Sequence, residues 1–348
     1  MNAKDFYSLI KYVPKAELHI HEEAAISRGT IKKLYKKYKG SVMPDTELNK
    51  LFDYNDLPGF LDSFIAIQNM FENAEDLKYT FSDLASYLKK NNITYCETFF
   101  SPTSHLKKGF SFKELSKLLT DGVEMIQKKT GITVRIIVDV SRSFGLENAQ
   151  RNLDYVLEDK NPYIIGIGLG GDEEKGPAKD FESVFLRAEQ AGLHRVTHAG
   201  ETCLSFSIKD SINILHAERI GHALSAGYDE ECIKELKDKH IPAELCPTSN
   251  TFIKKYITKI EQHPAKKLFD AGVHIMINTD DPTFFKVSLI DEYWRIYKGL
   301  KFSLDEIKQI IKNGFTAAFI SDDQKAEYCH QVDLAWDEWF KAHPNCTI

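Results

Sequence analysis

The stretch Val196-Thr197-His198-Ala199-Gly200-Glu201 reads as a short β-branched strand that stops abruptly in a turn of small residues. A histidine ends the strand, and a glutamate follows within the turn. Three other stretches share this pattern: His19-Ile20-His21, Arg219-Ile220-Gly221-His222 and Asn278-Thr279-Asp280-Asp281-Pro282. Each is a strand ending in groups able to hold a metal or move a proton.

Outward from 196–201, strand and helix alternate. Hydrophobic and β-branched patterning predicts strands at 15–21, 93–101, 133–140, 164–171, 194–200, 219–223, 242–249 and 274–280. Helical periodicity fills the intervals, with Ser27 as an expected cap for a helix running to Tyr38. Eight strands, each followed by helix, imply parallel pairing with right-handed crossovers. The expected fold is an α/β (β/α)8 TIM-type barrel forming one domain over 1–348. Extra helices are expected after the first strand, at 56–70 and 74–90, and at the C-terminus. An open doubly wound sheet would show a glycine-rich phosphate loop after an early strand, and none is evident. Strict alternation in the first strand puts Glu17, His19 and His21 on one face and Ala16, Leu18 and Ile20 on the other.

Composition narrows the function. The chain carries 45 Lys+Arg against 51 Asp+Glu, a formal charge of −6, which gives no footprint for nucleic acid. No run approaches the roughly 18 apolar residues of a membrane span. The 6 cysteines are scattered without a C-x-x-C pair, which suggests reduced thiols. With no apolar leader in 1–14, the expected location is cytoplasmic.

In a parallel barrel the C-terminal ends of the strands share one rim, where chemistry collects. That rim would gather His19, His21, His198, Glu201, His222, Asp280 and Asp281, with Gly171 at the end of the fourth strand. Three imidazoles and a carboxylate with room for water suit a catalytic divalent ion, with zinc favoured. The other histidines, His263 among them, fall on helices, loops or strand starts and read as structural or surface residues.

Together with Cys246-Pro247-Thr248-Ser249-Asn250, these motifs resemble the adenosine deaminase family in order and spacing, from about Pro14 to Trp294. The resemblance implies a zinc-bearing barrel, with one ion per chain, that hydrolyses the 6-amino group of adenine compounds. It implies His19, His21, His198 and Asp280 as zinc ligands. Glu201 then matches the acid that protonates purine N1. His222 matches the residue that orients the attacking water, with Asp281 as its partner. Gly171, Glu23 and Asp172 fall at positions associated with the substrate. The implied partner is a small purine nucleoside, and the oligomeric state is open.

Departures from the family pattern concern the substrate end. Glu23 stands at the acidic position that often touches the sugar in adenosine enzymes, and Glu there also occurs in adenine-type relatives. Ala24 and Ala223 replace usual glycines. Phe99 stands where adenosine enzymes often carry arginine. The stretches 53–64, 168–173 and 191–194 are also similar to enzymes acting on aminodeoxyfutalosine, a nucleoside with a benzoate tail. Phe60 and Phe64 would wall such a tail, and Arg28 or Lys254 would meet its carboxylate. Adenosine is the default substrate, with aminodeoxyfutalosine and free adenine as alternatives. A catalytically silent nucleoside-binding barrel is the non-enzyme alternative.

Overall fold

A computed structural model describes residues 1–54 and 56–346. Asn55, Thr347 and Ile348, which fall inside the expected domain, lie outside the described residues. Eight parallel strands pair in sequence order: β1 Lys15–His21, β2 Ile93–Phe100, β3 Thr133–Asp139, β4 Ile164–Leu169, β5 His194–Ala199, β6 Arg219–His222, β7 Ala243–Leu245 and β8 Ile275–Ile277. Beyond the end of β8, Asp280 closes the ring against β1. His21 N–H donates to Asp280 O, and Asp280 N–H donates to His19 O, each at 3.0 Å. The expected (β/α)8 barrel is the fold, and the strands read as apolar runs because helices cover their outer face.

Helix starts follow their side chains. Ser27 accepts from Thr30 N–H and starts the Arg28–Lys39 helix, as expected. Ser111, Ser288, Ser303 and Ser321 each begin a helix with a reciprocal capping box. The inserted helices after β1 include Leu57–Gln68 and Leu77–Lys90, and Asp322–Ala342 ends the chain. No helix among the described residues is long and apolar enough to cross a membrane.

Two local expectations are corrected. The strand expected at 242–249 ends at Leu245, and Pro247–Ile253 is a helix. Proline at its first turn has no N–H to lose there and presets φ for a helix. The alternation in β1 also breaks. Leu18 and His19 N–H groups both donate to Asn278 Oδ1, at 2.9 and 3.1 Å, and the β1–β2 register shifts between Glu17 and Ile20. This bulge lets consecutive parts of the strand change face. Glu17 therefore parts from His19: its carboxylate accepts from Thr279 N–H and from the hydroxyls of Thr279 and Tyr87.

Under the rim, the barrel interior is polar. Arg219 on β6 is 1% exposed and donates to Glu244 on β7 at 2.6 Å and to Glu97 on β2 at 2.5 Å. Its guanidinium also takes Ala317 O at 3.0 Å and lies 3.8 Å from the centre of the Phe319 ring. Two carboxylates around one planar cation satisfy charges that burial would otherwise make costly.

Candidate active site

The rim brings together the groups that the strand ends promised. One potential ligand atom from each of His19, His21, His198 and Asp280 lies within 4.8 Å of all the others. His21 Nε2 is 3.3 Å from Asp280 Oδ1 and 3.3 Å from His198 Nε2. His19 Nε2 is buried without a hydrogen-bond partner. Ring nitrogens converging on one carboxylate, one of them without any partner, make a donor set that fits a tetrahedral divalent cation.

The backbone is bent to achieve this. His222 and Asp280 have φ of +64° and +65°, a left-handed conformation that costs a side-chain-bearing residue about 1–3 kcal/mol and collects at functional sites. Ala223 follows at +48°, which accounts for the glycine usual at that position. Gly221 has a different reason: a Cβ there would lie 2.6 Å from His19 Cε1.

His19 is oriented from below. Its Nδ1 lies 2.7 Å from Glu244 Oε2, and Arg219 holds the other oxygen of that carboxylate. Nε2 is thus left to face the cluster, a carboxylate–histidine arrangement typical of metal ligands. His222 is oriented from the side by a directed chain. Ala265 N–H donates to His263 Nδ1 at 3.1 Å, and His263 Nε2 donates to Asn250 Oδ1 at 3.2 Å. Asn250 Nδ2 then donates to His222 Nδ1 at 3.2 Å. The His222 proton therefore sits on Nε2, 3.7 Å from Glu201 Oε2.

Burial sets the charge states. It pulls His222 down to about 4, so the ring is neutral at pH 7. Burial, then the charges of Asp280 and Glu173, push Glu201 up to about 8, so its carboxyl keeps a proton. Asp281 is raised well above the usual carboxylate range by burial and by Asp280 beside it. Cys246 lies near His222 and Asp280, but burial holds its thiol protonated, which disfavours it as a ligand.

These groups open on a cavity of about 320 Å³. His21, His198, Glu201, His222, Asp280 and Asp281 form its reactive end, and Gly171 lines it too. Gly171 has φ +98°, and a Cβ there would collide with Ser143 Oγ. Phe60, Leu61, Phe64 and Ile65 of the Leu57–Gln68 helix form one wall, continued by Phe285, which stacks on Phe60 at 5.2 Å between ring centres; Phe144 and Ile253 also line the cavity.

The sequence profile of the adenosine deaminase family matches residues 14–335. The chain belongs to this family. It is 30% identical over 340 residues to an aminodeoxyfutalosine deaminase of Streptomyces avermitilis, covering 97% of this chain and 95% of that one. It is 32% identical to an adenine deaminase of Psychrobacter cryohalolentis, covering 94% and 98%. The solved structure of an adenine deaminase from Arthrobacter aurescens superposes with a TM-score of 0.88 at 27% identity, over 94% of this chain and 99% of that one. This adenosine deaminase family member is an aminohydrolase of the purine deaminase class.

Other assigned residues of this family member lie elsewhere. Glu23 is buried behind the cavity wall, accepting from Ser101 N–H at 3.0 Å and from Gln68 at 3.3 Å. Asp172 turns to Lys175 at 2.7 Å, while its N–H donates to Ser143 Oγ. Neither lines the cavity. Arg28 and Lys254 do not line it either; Arg28 donates to Asn49 and packs over Phe52. Reading the sequence missed Glu244, Asn250, Arg142 and Glu173 as supporting residues. Asn250 and Glu173 lie inside stretches that the sequence singles out, whereas Glu244 and Arg142 carry no local signal.

Proposed function

We propose that the chain hydrolyses the purine 6-amino group with one zinc ion per chain, with adenosine as its default substrate. The observation that carries this reading is the convergence of His19, His21, His198 and Asp280 on one cavity beside a protonated Glu201 and a neutral His222. The four ligands would hold the zinc. When bound, it supplies Lewis acidity that makes water nucleophilic near neutral pH. Glu201 donates its proton to purine N1, which makes C6 electrophilic. His222, held as the Nε2–H tautomer by Asn250, orients the water on its approach to C6, and Asp281 supports it there. The water's oxygen bonds to C6; one of its protons passes to the amino group, which leaves as ammonia as the C6–N bond breaks, and the other returns to Glu201 as the C6=O bond forms. These groups also argue against the silent-barrel alternative, since each residue that the chemistry needs is present and in reach.

Beyond its reactive residues, the cavity supports an uncharged sugar. Ser101, Ser141, Ser143, Gln68 and Asp139 line it, and no lysine or arginine does so among the described residues. Hydroxyls and an amide suit ribose, and a phosphate or carboxylate would lack a cation to meet it. A second reading, aminodeoxyfutalosine, is favoured by the Phe60 and Phe64 wall, which suits a flat aromatic tail. Comparing kcat/KM for adenosine and aminodeoxyfutalosine decides between them. Adenosine is expected to be the better substrate; a deficit of about a hundredfold or more, equivalent to some 2.7 kcal/mol, transfers the assignment to the tailed nucleoside.

A further inference from the structure

Glu173, on the loop after β4, does not line the cavity, yet its carboxylate collects four consecutive backbone donors from the loop after β5. Gly200 N–H donates to Oε1 at 2.6 Å. The N–H groups of Glu201, Thr202 and Cys203 donate to Oε2 at 3.1, 2.8 and 3.0 Å. The side chain is 3% exposed, so water does not share these bonds. Successive amides aimed at one point form a concave anion-binding nest, and here the anion belongs to the protein itself. The nest is the turn that carries Glu201.

The other end of the turn is tied down as well. Buried Arg142, on the loop after β3, donates to His198 O at 2.6 Å, Leu169 O at 3.1 Å and Gly176 O at 2.8 Å. Glu173 is the largest of the charges that attract its guanidinium. Gly200 enters the turn at φ +71°, where a Cβ would strike Ser225 and Ile208, so the backbone has little freedom to move aside. Three successive rim loops are thus joined through one carboxylate and one guanidinium. The side chain they hold, Glu201, faces His222 at 3.7 Å.

We propose that Glu173 is a positioning residue for Glu201: its carboxylate anchors the 200–203 backbone and so fixes the carboxyl that donates the proton. The proposal rests on the assignment of Glu201 as that donor. Glu173→Gln keeps the volume but removes the charge and turns an amide donor toward a row of N–H groups. A side chain acting through Glu201 should matter only while Glu201 is present.

A double-mutant cycle tests this in the zinc-loaded enzyme with adenosine. Glu173→Gln should lower kcat by about 10- to 100-fold with KM within about threefold, the pattern of a misplaced catalytic group. Zinc content by elemental analysis should be unchanged. In the Glu201→Gln background the same substitution should change kcat by less than about twofold. Should Glu173→Gln lose cooperative melting, Glu173→Asp carries the same cycle, because it keeps the charge but is too short to reach all four amides. Equal losses in both backgrounds, or a single variant with unchanged kcat, overturn the proposal in favour of a purely structural role. Wild-type turnover in Glu201→Gln alone instead removes the donor assignment, and the positioning role falls with it.

Discussion

Asn250 Nδ2 donates to His222 Nδ1 at 3.2 Å, and this bond decides which ring nitrogen carries the proton toward the cavity. Asn250→Asp would accept from Nδ1 instead, moving the proton there and leaving a lone pair on Nε2. We expect kcat to fall by about 10²-fold, the scale of a lost general acid–base or orienting group, with KM little changed. Steady-state kinetics of the variant measure it. Near-normal kcat would show that the tautomer of His222 does not matter.

If Glu201 is the proposed proton donor, it sets the alkaline limit of activity. Its carboxyl, pushed up to about 8 mainly by burial, is a neutral donor below that pH and a carboxylate above it. Rising pH therefore removes the proton that the reaction consumes, and kcat/KM should decline above about pH 8. Glu201→Gln should lose about 10²–10⁴-fold in turnover, retain its metal and show no such limb. A wild-type profile flat to pH 10 would contradict the role.

Metal removal should cost both activity and stability. Without a cation, the buried Asp280 carboxylate and the orphaned His19 Nε2 lose their common partner. A ligand that binds only the folded chain stabilises it by mass action. Dialysis against a chelator should abolish turnover and lower the melting temperature, and stoichiometric zinc should restore both. Full activity in the metal-free chain would sink the ligand assignment.

In the proposed site, Glu244 would support both the metal and the fold. It joins His19 at 2.7 Å to Arg219 at 2.6 Å inside the barrel. Glu244→Leu leaves Arg219 with less compensation, and losing one partner of a buried ion pair costs about 3–5 kcal/mol. The milder Glu244→Gln should fold and bind zinc about 10- to 100-fold more weakly, because His19 loses its anionic support. Urea melts read the first effect and competition with a chromophoric chelator reads the second. Unchanged zinc affinity in Glu244→Gln would confine Glu244 to the fold.

The barrel and its rim were legible because both depend on residue type at strand ends. His21 and His222 end their strands, His19 and His198 lie just inside the ends of theirs, and Asp280 follows β8 after Asn278 and Thr279; strand–helix alternation alone puts those ends on one rim. What was not legible depends on contacts distant in sequence. The bulge that separates Glu17 from His19 is imposed by Asn278, whose position is known only once the barrel closes. The 242–249 stretch reads as one strand, whereas the strand ends at Leu245 and Pro247 already starts a helix. The sequence places Asp172 at a substrate position, and the role of its neighbour Glu173 is hidden because the amides that Glu173 gathers belong to a different loop. Likewise His263 read as structural or surface; it is buried and reaches His222 through Asn250.

The central claim is hydrolysis at the purine 6-position by the groups on this rim. The most direct measurement is the release of ammonia and 6-oxopurine from adenosine, aminodeoxyfutalosine and free adenine by the zinc-loaded enzyme, with Glu201→Gln in parallel. The account predicts equal amounts of the two products, adenosine as the fastest substrate, and collapse of the rate in the variant. No ammonia from any of the three, or equal rates with and without the Glu201 carboxyl, would contradict it.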